Sequence, residues 1–366
     1  MRLIPEYLPW SHQVLDSCIQ QFLMGKLPCL DLETSAVCRH SACIYCDSDC
    51  AAPMLDEMNH DSVNKVLKQA SMLGTKWLYL CGLGEPTDDP KFLQLLDAAQ
   101  EADIKISMFT NAVRFSHDLV NTLMNHQVSL IVKLDSLNPS NFDRLLGRPG
   151  TADRIFRTID ALLKAGYDRL CQDDFTMIAA SIIPTKVNYQ DIPNVIKFCV
   201  ERNIFPSIGE LECAGRAKGK YEDLALTTEE LLDLKYQVDS LVGYDYQRPT
   251  CPAALGGLHV SNTGNIIVDR CTGVCCQWFL LRGPDLFNIG HISEISLSEA
   301  MEKVHSYRVR NTLSCKKILE CPPSVVFGGC GGRADQILRE HIRILDFVDG
   351  LKSIASDSCY PKADKS

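Results

Sequence analysis

Three cysteines fall within nine residues, Cys38-Arg-His-Ser-Ala-Cys43-Ile-Tyr-Cys46, spaced C-x4-C-x2-C, and Tyr45 directly precedes the third. Thiolates this close can converge on one metal centre, and three ligands leave one position open for chemistry. Structural zinc usually takes two close ligand pairs. Here one C-x2-C pair is present, no second follows at finger spacing, and Cys50 is available as a fourth ligand to a zinc at Cys38, Cys43 and Cys46. Iron–sulfur clusters are held by thiolates at similar spacings. The motif alone leaves both metals open.

What positions this loop is a repeating pattern. The sequence predicts a strand at 29–33 just before the cysteines, then strands at 76–81, 104–109, 128–134, 175–183 and 205–211. Helices are predicted between them from about 58 to 74 and at 90–102, 117–125, 152–165 and 189–202. Strands alternating with helices of this length indicate βαβ units and a parallel sheet with right-handed crossovers. The fold class expected is α/β, a partial (β/α)6 TIM-like barrel with a small cysteine-rich C-terminal domain. In such folds the working residues lie at the C-terminal ends of strands. The cysteine loop, Gly82-Leu-Gly-Glu-Pro86, Thr110-Asn111 and Asp135-Ser136 then share one rim.

Thr227-Thr-Glu-Glu230 has capping-box spacing and opens a helix to about residue 241. Beyond it the texture changes. Residues 258–268 read as a hairpin with Asn262-Thr-Gly264 as its turn, followed by closely spaced cysteines. The boundary is placed near 245, giving a barrel domain at 1–245, with a short N-terminal segment at 1–27, and a second domain at 246–362. Metal clusters can replace a core in a region with little regular structure.

The chain has 366 residues, 46% hydrophobic and 23% charged, with net charge −9 and no block of lysines or arginines. This argues against a nucleic-acid footprint. No apolar run is long enough for a membrane span, and the N-terminus has no signal-peptide core, so a cytoplasmic location is expected. Eighteen cysteines in a reducing compartment read as metal ligation or catalysis rather than disulfides. Cys18, Cys29, Cys171 and Cys199 are read as core residues.

Taken together, the motifs resemble the radical S-adenosylmethionine (SAM) superfamily over about residues 28–220. The C-x4-C-x2-C loop is similar to that family's cluster loop with one inserted residue. Gly82–Pro86 resembles its GGEP loop, Thr110-Asn111-Ala112 its TNG strand end, Lys133-Leu-Asp-Ser136 the polar end of strand four, and Gly215-Arg216-Ala217 another frequent family sequence. The resemblance implies a 4Fe–4S cluster on Cys38, Cys43 and Cys46, with SAM on the open iron. It implies Tyr45 against the adenine, Glu85 on the methionine ammonium, and close backbone approach at Gly82 and Gly84. Asn111, Asp135, Ser136, Ser181, Asn188 and Arg216 complete the implied cofactor-binding set. On the residues alone, Glu85 also reads as a turn carboxylate and Asn188 as a helix N-cap.

The C-terminal part resembles a SPASM or Twitch extension, which implies at least one auxiliary 4Fe–4S cluster on Cys251, Cys271, Cys321 and Cys330. Cys275, Cys276, Cys315 and Cys359 are candidates for a second, and a zinc ribbon is the rival reading. The late cysteines depart from the full SPASM spacing, with Phe327 near an expected ligand. The function implied is reductive cleavage of SAM to a 5′-deoxyadenosyl radical and hydrogen abstraction, with oxidation or cross-linking of a peptide or protein side chain. The alternatives are dehydrogenation or epimerisation of a small sugar-like or amino-acid metabolite, and a non-catalytic iron–sulfur electron-transfer protein. An electron donor such as flavodoxin or ferredoxin is the implied partner.

Overall fold

The structure is a computed structural model. It describes residues 21, 24–48, 51–80, 82–169, 177–209, 211, 213, 215–242, 257–268 and 288–310, the last seven by backbone only. Six parallel strands lie side by side in chain order: β1 (Cys29–Leu32), β2 (Trp77–Leu80), β3 (Lys105–Thr110), β4 (Ser129–Lys133), β5 (Ile178–Ile182) and β6 (Phe205–Ile208). Between them run α1 (His60–Met72), α2 (Phe92–Glu101), α3 (His117–Asn125), α4 (Pro139–Leu146), α5 (Thr151–Ala165) and α6 (Ile192–Val200), with α7 (Tyr221–Leu224) and α8 (Thr228–Val242) after β6. This is the α/β partial barrel that the alternation predicts.

Local chemistry sets the helix ends. Asn59 Oδ1 accepts from Ser62 N at 2.9 Å to cap α1, and Ser116 Oγ accepts from Leu119 N at 3.1 Å to cap α3. The sequence reading has no helix at 139–146. Asn138 nevertheless caps one, accepting from Ser140 N at 3.0 Å, with Pro139 in the first turn. The helix expected from Tyr189 begins as a 3-10 turn, Tyr189–Asp191, and α6 follows with its proline in the first turn, where a missing N–H costs little.

Strand alternation sorts side chains to two faces. Leu30, Leu78, Met108, Leu130, Ala180 and Ile208 face the helices and join the main core with Val66, Leu96, Leu123, Ile159 and Ile196. The other face carries Asp31, Tyr79, Phe109, Ile131, Lys133, Ala179 and Phe205. There Tyr79, Ile131 and Ala179 form a small separate apolar cluster, with Phe109 and Phe205 packed on it. Cys29 and Cys199 are buried, as core cysteines should be.

The expected hairpin is β7 (Gly257–Val260) and β8 (Asn265–Val268), paired antiparallel, with β9 (Asn288–His291) beside β8 and α9 (Leu297–Arg310) beyond. β7 pairs in parallel with β1, from Cys29 opposite Gly257 to Leu32 opposite Val260. The barrel sheet therefore continues past residue 245. The later cysteine calls, Cys251, Cys271, Cys275, Cys276, Cys315, Cys321, Cys330 and Cys359, lie outside the described residues, as do Cys18, Cys50 and Cys171. Among the described residues no helix is long and apolar enough to cross a membrane.

Candidate functional site

The Cys38–Cys46 loop follows β1 and is gripped from three sides. From α4, Leu145 O accepts from Ile44 N at 2.9 Å and Leu146 O lies 2.9 Å from His40 Nε2. From the loop after β2, Glu85 N donates to Val37 O at 2.8 Å, and Asp88 Oδ2 accepts from Arg39 N at 2.8 Å. From the segment after β6, Arg216 N donates to Cys46 O at 2.8 Å, and its guanidinium reaches Ser41 Oγ at 3.5 Å. Two glycines make this grip possible. A Cβ on Gly84 would lie 2.4 Å from Val37 O. One on Gly147, which has φ 72°, would lie 2.1 Å from Ala42 O.

Cys38, Cys43 and Cys46 are free thiols, each half-buried. Burial raises the Cys38 pKa and pushes Cys43 up to about 11, and the thiols' mutual charges add to this. Ser41 N donates to Cys38 Sγ at 3.4 Å, and Asn111 Nδ2 at 3.9 Å. Among the described residues no three His, Cys, Asp or Glu side chains converge closely enough for a single ion. Three thiolates on one nine-residue loop are the kind of donor set that holds an iron–sulfur cluster. The donor set therefore fits an iron–sulfur cluster, whose binding would release the thiol protons.

Glu85 stands beside this loop, 6% exposed. Its Oε1 accepts from Thr87 Oγ1 and Thr110 Oγ1, each at 2.7 Å, and its Oε2 accepts from Asn111 N at 2.7 Å. Burial raises its pKa against the pull of those donors. Glu85 thus ties the β2 loop to the end of β3. A carboxylate oxygen has two lone pairs, so Oε2 keeps capacity for a further donor.

A second knot closes the other side. Tyr45 Oη donates to Asp135 Oδ2, and Ile183 N donates to Asp135 Oδ1 at 2.9 Å. Lys133 Nζ lies 3.6 Å from Asp135 Oδ2 and 4.4 Å from the Tyr45 ring centroid. Burial works against the lysine's charge, yet Asp135, Cys43, Cys46 and Asp47 together raise its pKa. Asn188 is fully buried. Its Nδ2 donates to Asp135 O at 2.7 Å and Ile183 O at 3.0 Å, while its Oδ1 accepts from Thr185 N at 2.8 Å. It forms no side-chain cap on the turn that follows. Ser136 is also fully buried and donates to Asp191 Oδ2 at 2.5 Å. Ser181 is half-buried and lies opposite Lys133 in the β4–β5 register.

Residues 32–199 match the family model of the Radical SAM superfamily. This stretch is similar to a radical SAM domain. It runs from the end of β1 into α6 and contains both knots and all three cysteines of the loop. A mycofactocin maturase of Mycolicibacterium smegmatis is 24% identical over 271 residues, which is 70% of this chain and 66% of the relative. Streptococcus suis SuiB bound to its precursor peptide SuiA superposes with TM-score 0.55 at 16% identity, over 78% of this chain and 67% of that one. The structure of anSMEcpe with bound AdoMet and a Cp18Cys peptide gives 0.57 at 14% identity, over 90% and 99%. This chain therefore spans just under two thirds of the maturase's length.

Tyr45, Gly82, Gly84, Glu85, Asn111, Asp135, Asn188 and Arg216 all lie on or beside the cysteine-loop rim. The reading missed three groups. Lys133 ends an apolar strand, a signal in itself. Gly147 follows α4, a helix the sequence reading does not predict. Asp31, Glu33 and His259 form a buried cluster inside the barrel, with His259 Nδ1 3.1 Å from Asp31 Oδ2 and Nε2 3.6 Å from Glu33 Oε1. The side chain of Glu33 fills the space where a Cβ on Gly82 would fall, 2.8 Å from its Cγ.

Proposed function

We propose that the chain is a radical SAM enzyme that abstracts a hydrogen atom from a peptide or protein side chain, leading to its oxidation or cross-linking. The observation that carries this reading is the trio of free thiols, Cys38, Cys43 and Cys46, on a strand-end loop clamped by Gly84, Gly147 and Arg216. A 4Fe–4S cluster on those thiols would supply the electron that splits SAM into methionine and a 5′-deoxyadenosyl radical. The protein's own residues do the rest. Glu85 offers an acceptor to the methionine ammonium. Gly82 and Gly84 keep the neighbouring backbone bare. The Tyr45–Asp135–Lys133 knot closes the floor and excludes water beside the thiols. The polar side chains of Asn111, Ser181 and Arg216 near the same rim suit SAM's carboxylate and ribose.

The peptide substrate is favoured by the relatives, since SuiB is described with a precursor peptide and anSMEcpe with a peptide. Residues 246–362 are assigned on this reading to a SPASM/Twitch-like domain with an auxiliary cluster on Cys251, Cys271, Cys321 and Cys330. A flavodoxin or ferredoxin would deliver the electron.

Anaerobic reconstitution with iron and sulfide, followed by SAM and dithionite, tests the reading. Release of 5′-deoxyadenosine is expected. The triple variant Cys38→Ala, Cys43→Ala, Cys46→Ala should release none while keeping any absorbance from the C-terminal cysteines. Wild-type protein that binds iron but leaves SAM intact would refute it.

A further inference from the structure

The stretch Arg39-His40-Ser41-Ala42 contains the residue inserted relative to the cluster loop it resembles, and each of its members is held by a different neighbour. Arg39 N donates to Asp88 Oδ2 at 2.8 Å. His40 is buried, and its Nε2 lies 2.9 Å from Leu146 O at the end of α4. A carbonyl only accepts, so Nε2 carries the proton and satisfies an orphan carbonyl of the helix end. Ser41 has φ 32°, in the left-handed region that residues with a Cβ rarely enter, and Arg216 Nη2 reaches its Oγ at 3.5 Å. Ala42 O lies where Gly147 has no Cβ to displace it. With Ser41 so turned, its N–H points back at Cys38 Sγ, 3.4 Å away. Asn111 Nδ2 approaches the same sulfur at 3.9 Å, its amide oriented by Val113 N, which donates to Oδ1 at 2.9 Å. Among the described residues, both N–H contacts to the loop's sulfurs go to Cys38 and none to Cys43 or Cys46.

Hydrogen bonds to a ligating sulfur draw off negative charge, so they favour the reduced cluster, which carries one more electron. A strained non-glycine residue persists only where its surroundings over-determine it, and here His40, Arg216 and Gly147 do so. Resting on the reading of Cys38, Cys43 and Cys46 as ligands of a 4Fe–4S cluster, we propose that this insert sets the cluster's reduction potential. His40 is a positioning residue: it holds the Ser41 N–H against Cys38 Sγ, and that N–H, with the Asn111 amide, makes the cluster easier to reduce. An insert that merely closes the loop would leave the potential the same whatever became of the two donors.

The test uses the reconstituted full chain without SAM. His40→Ala removes the anchor, His40→Gln restores a donor to Leu146 O, and Asn111→Leu removes the second donor while leaving the loop backbone alone. Each protein is titrated with redox mediators, and the reduced cluster is read by electron paramagnetic resonance. The signal of Cys38→Ala/Cys43→Ala/Cys46→Ala is subtracted to remove any C-terminal cluster. At the wild-type midpoint potential, the ratio of reduced to oxidised cluster should be about fivefold lower in His40→Ala and about twofold lower in Asn111→Leu, whose contact is longer. His40→Gln should match wild type. Should His40→Ala take up no iron, an ester in place of the Ser41 peptide amide decides the matter, since it deletes the N–H and leaves the side chains in place: a lowered ratio supports the proposal and an unchanged one overturns it. Midpoints of His40→Ala and Asn111→Leu equal to that of wild type also overturn it, while leaving the radical SAM reading intact. Wild-type chain that forms no iron–sulfur cluster on Cys38, Cys43 and Cys46 sinks that reading, and the proposal with it.

Discussion

His259 Nδ1 lies 3.1 Å from Asp31 Oδ2, with both side chains buried at the β1–β7 pairing. Burial disfavours the imidazolium, but Glu33 and Asp31 outweigh it and push the His259 pKa from its ordinary 6.5 to about 10. A raised pKa contributes stability that is complete below the unfolded value and is lost as pH rises through the folded one. The urea midpoint of the wild type should therefore decline from near neutral pH to about pH 10, the folded value. His259→Gln should be flat over that window. It should also be less stable by about 3–5 kcal/mol at neutral pH, because two buried carboxylates lose their counter-charge. Parallel pH profiles for the two proteins would rule out the ion pair.

Gly147 carries two demands at once, φ 72° and a Cβ that would fall 2.1 Å from the carbonyl oxygen of Ala42. The atom in the way is backbone, so it cannot swing aside. Gly147→Ala is expected to cost about 2–4 kcal/mol in a urea titration, and to lower iron uptake on reconstitution because the displaced segment is the cysteine loop. Gly150→Ala is the control. Gly150 has a similar φ of 73° but nothing within 4 Å of its Cβ position, so it should show the smaller loss and normal iron uptake.

The order of strands was legible because each buried strand reads as an apolar run and each helix shows a periodic apolar face, as Val63, Val66, Leu67 and Ala70 do on α1. The rim was legible because parallel strands put all their C-terminal ends on one side. What was not legible depends on pairings that no local period encodes. Alternation places Asp31 and Glu33 on one face of β1, but nothing local says that β7 will add beside β1 and bring His259 between them. Tyr45 was expected against a ligand, yet its hydroxyl is committed to Asp135. A single aromatic between two cysteines does not reveal whether its polar tip will find protein or cofactor.

Asn188 ties its own turn to the end of β4, bonding Thr185 and Ile183 locally and Asp135 across the sheet. Asn188→Ala would leave two buried carbonyls and a buried amide without their partners, so a loss of about 2–4 kcal/mol is expected. Asn188→Asp should be no better, since a carboxylate would face the carbonyls of Asp135 and Ile183 and could not donate to them. Urea midpoints of the two variants check this. If Asp restores wild-type stability, the side-chain amide is not the donor.

The Tyr45 ring and hydroxyl do separable work. The hydroxyl satisfies Asp135 Oδ2, while the ring lies under Lys133 at 4.4 Å and packs in a small cluster with Leu145 and Leu211. Tyr45→Phe keeps the ring and leaves Asp135 Oδ2 with Lys133 alone, which should cost about 1–3 kcal/mol. Tyr45→Leu also removes the cation–π contact and should cost a further ~1–2 kcal/mol for a desolvated site. The ordering wild type, Phe, Leu in urea midpoint is the expected result. Lys133→Met in the Tyr45→Leu background, where the ring contact is already gone, then reads the ion pair alone: the second substitution should be strongly destabilising, because it strips the last counter-charge from a carboxylate that is fully buried. If Tyr45→Phe matches wild type and Lys133→Met is silent in the Tyr45→Leu background, the knot is not ionic.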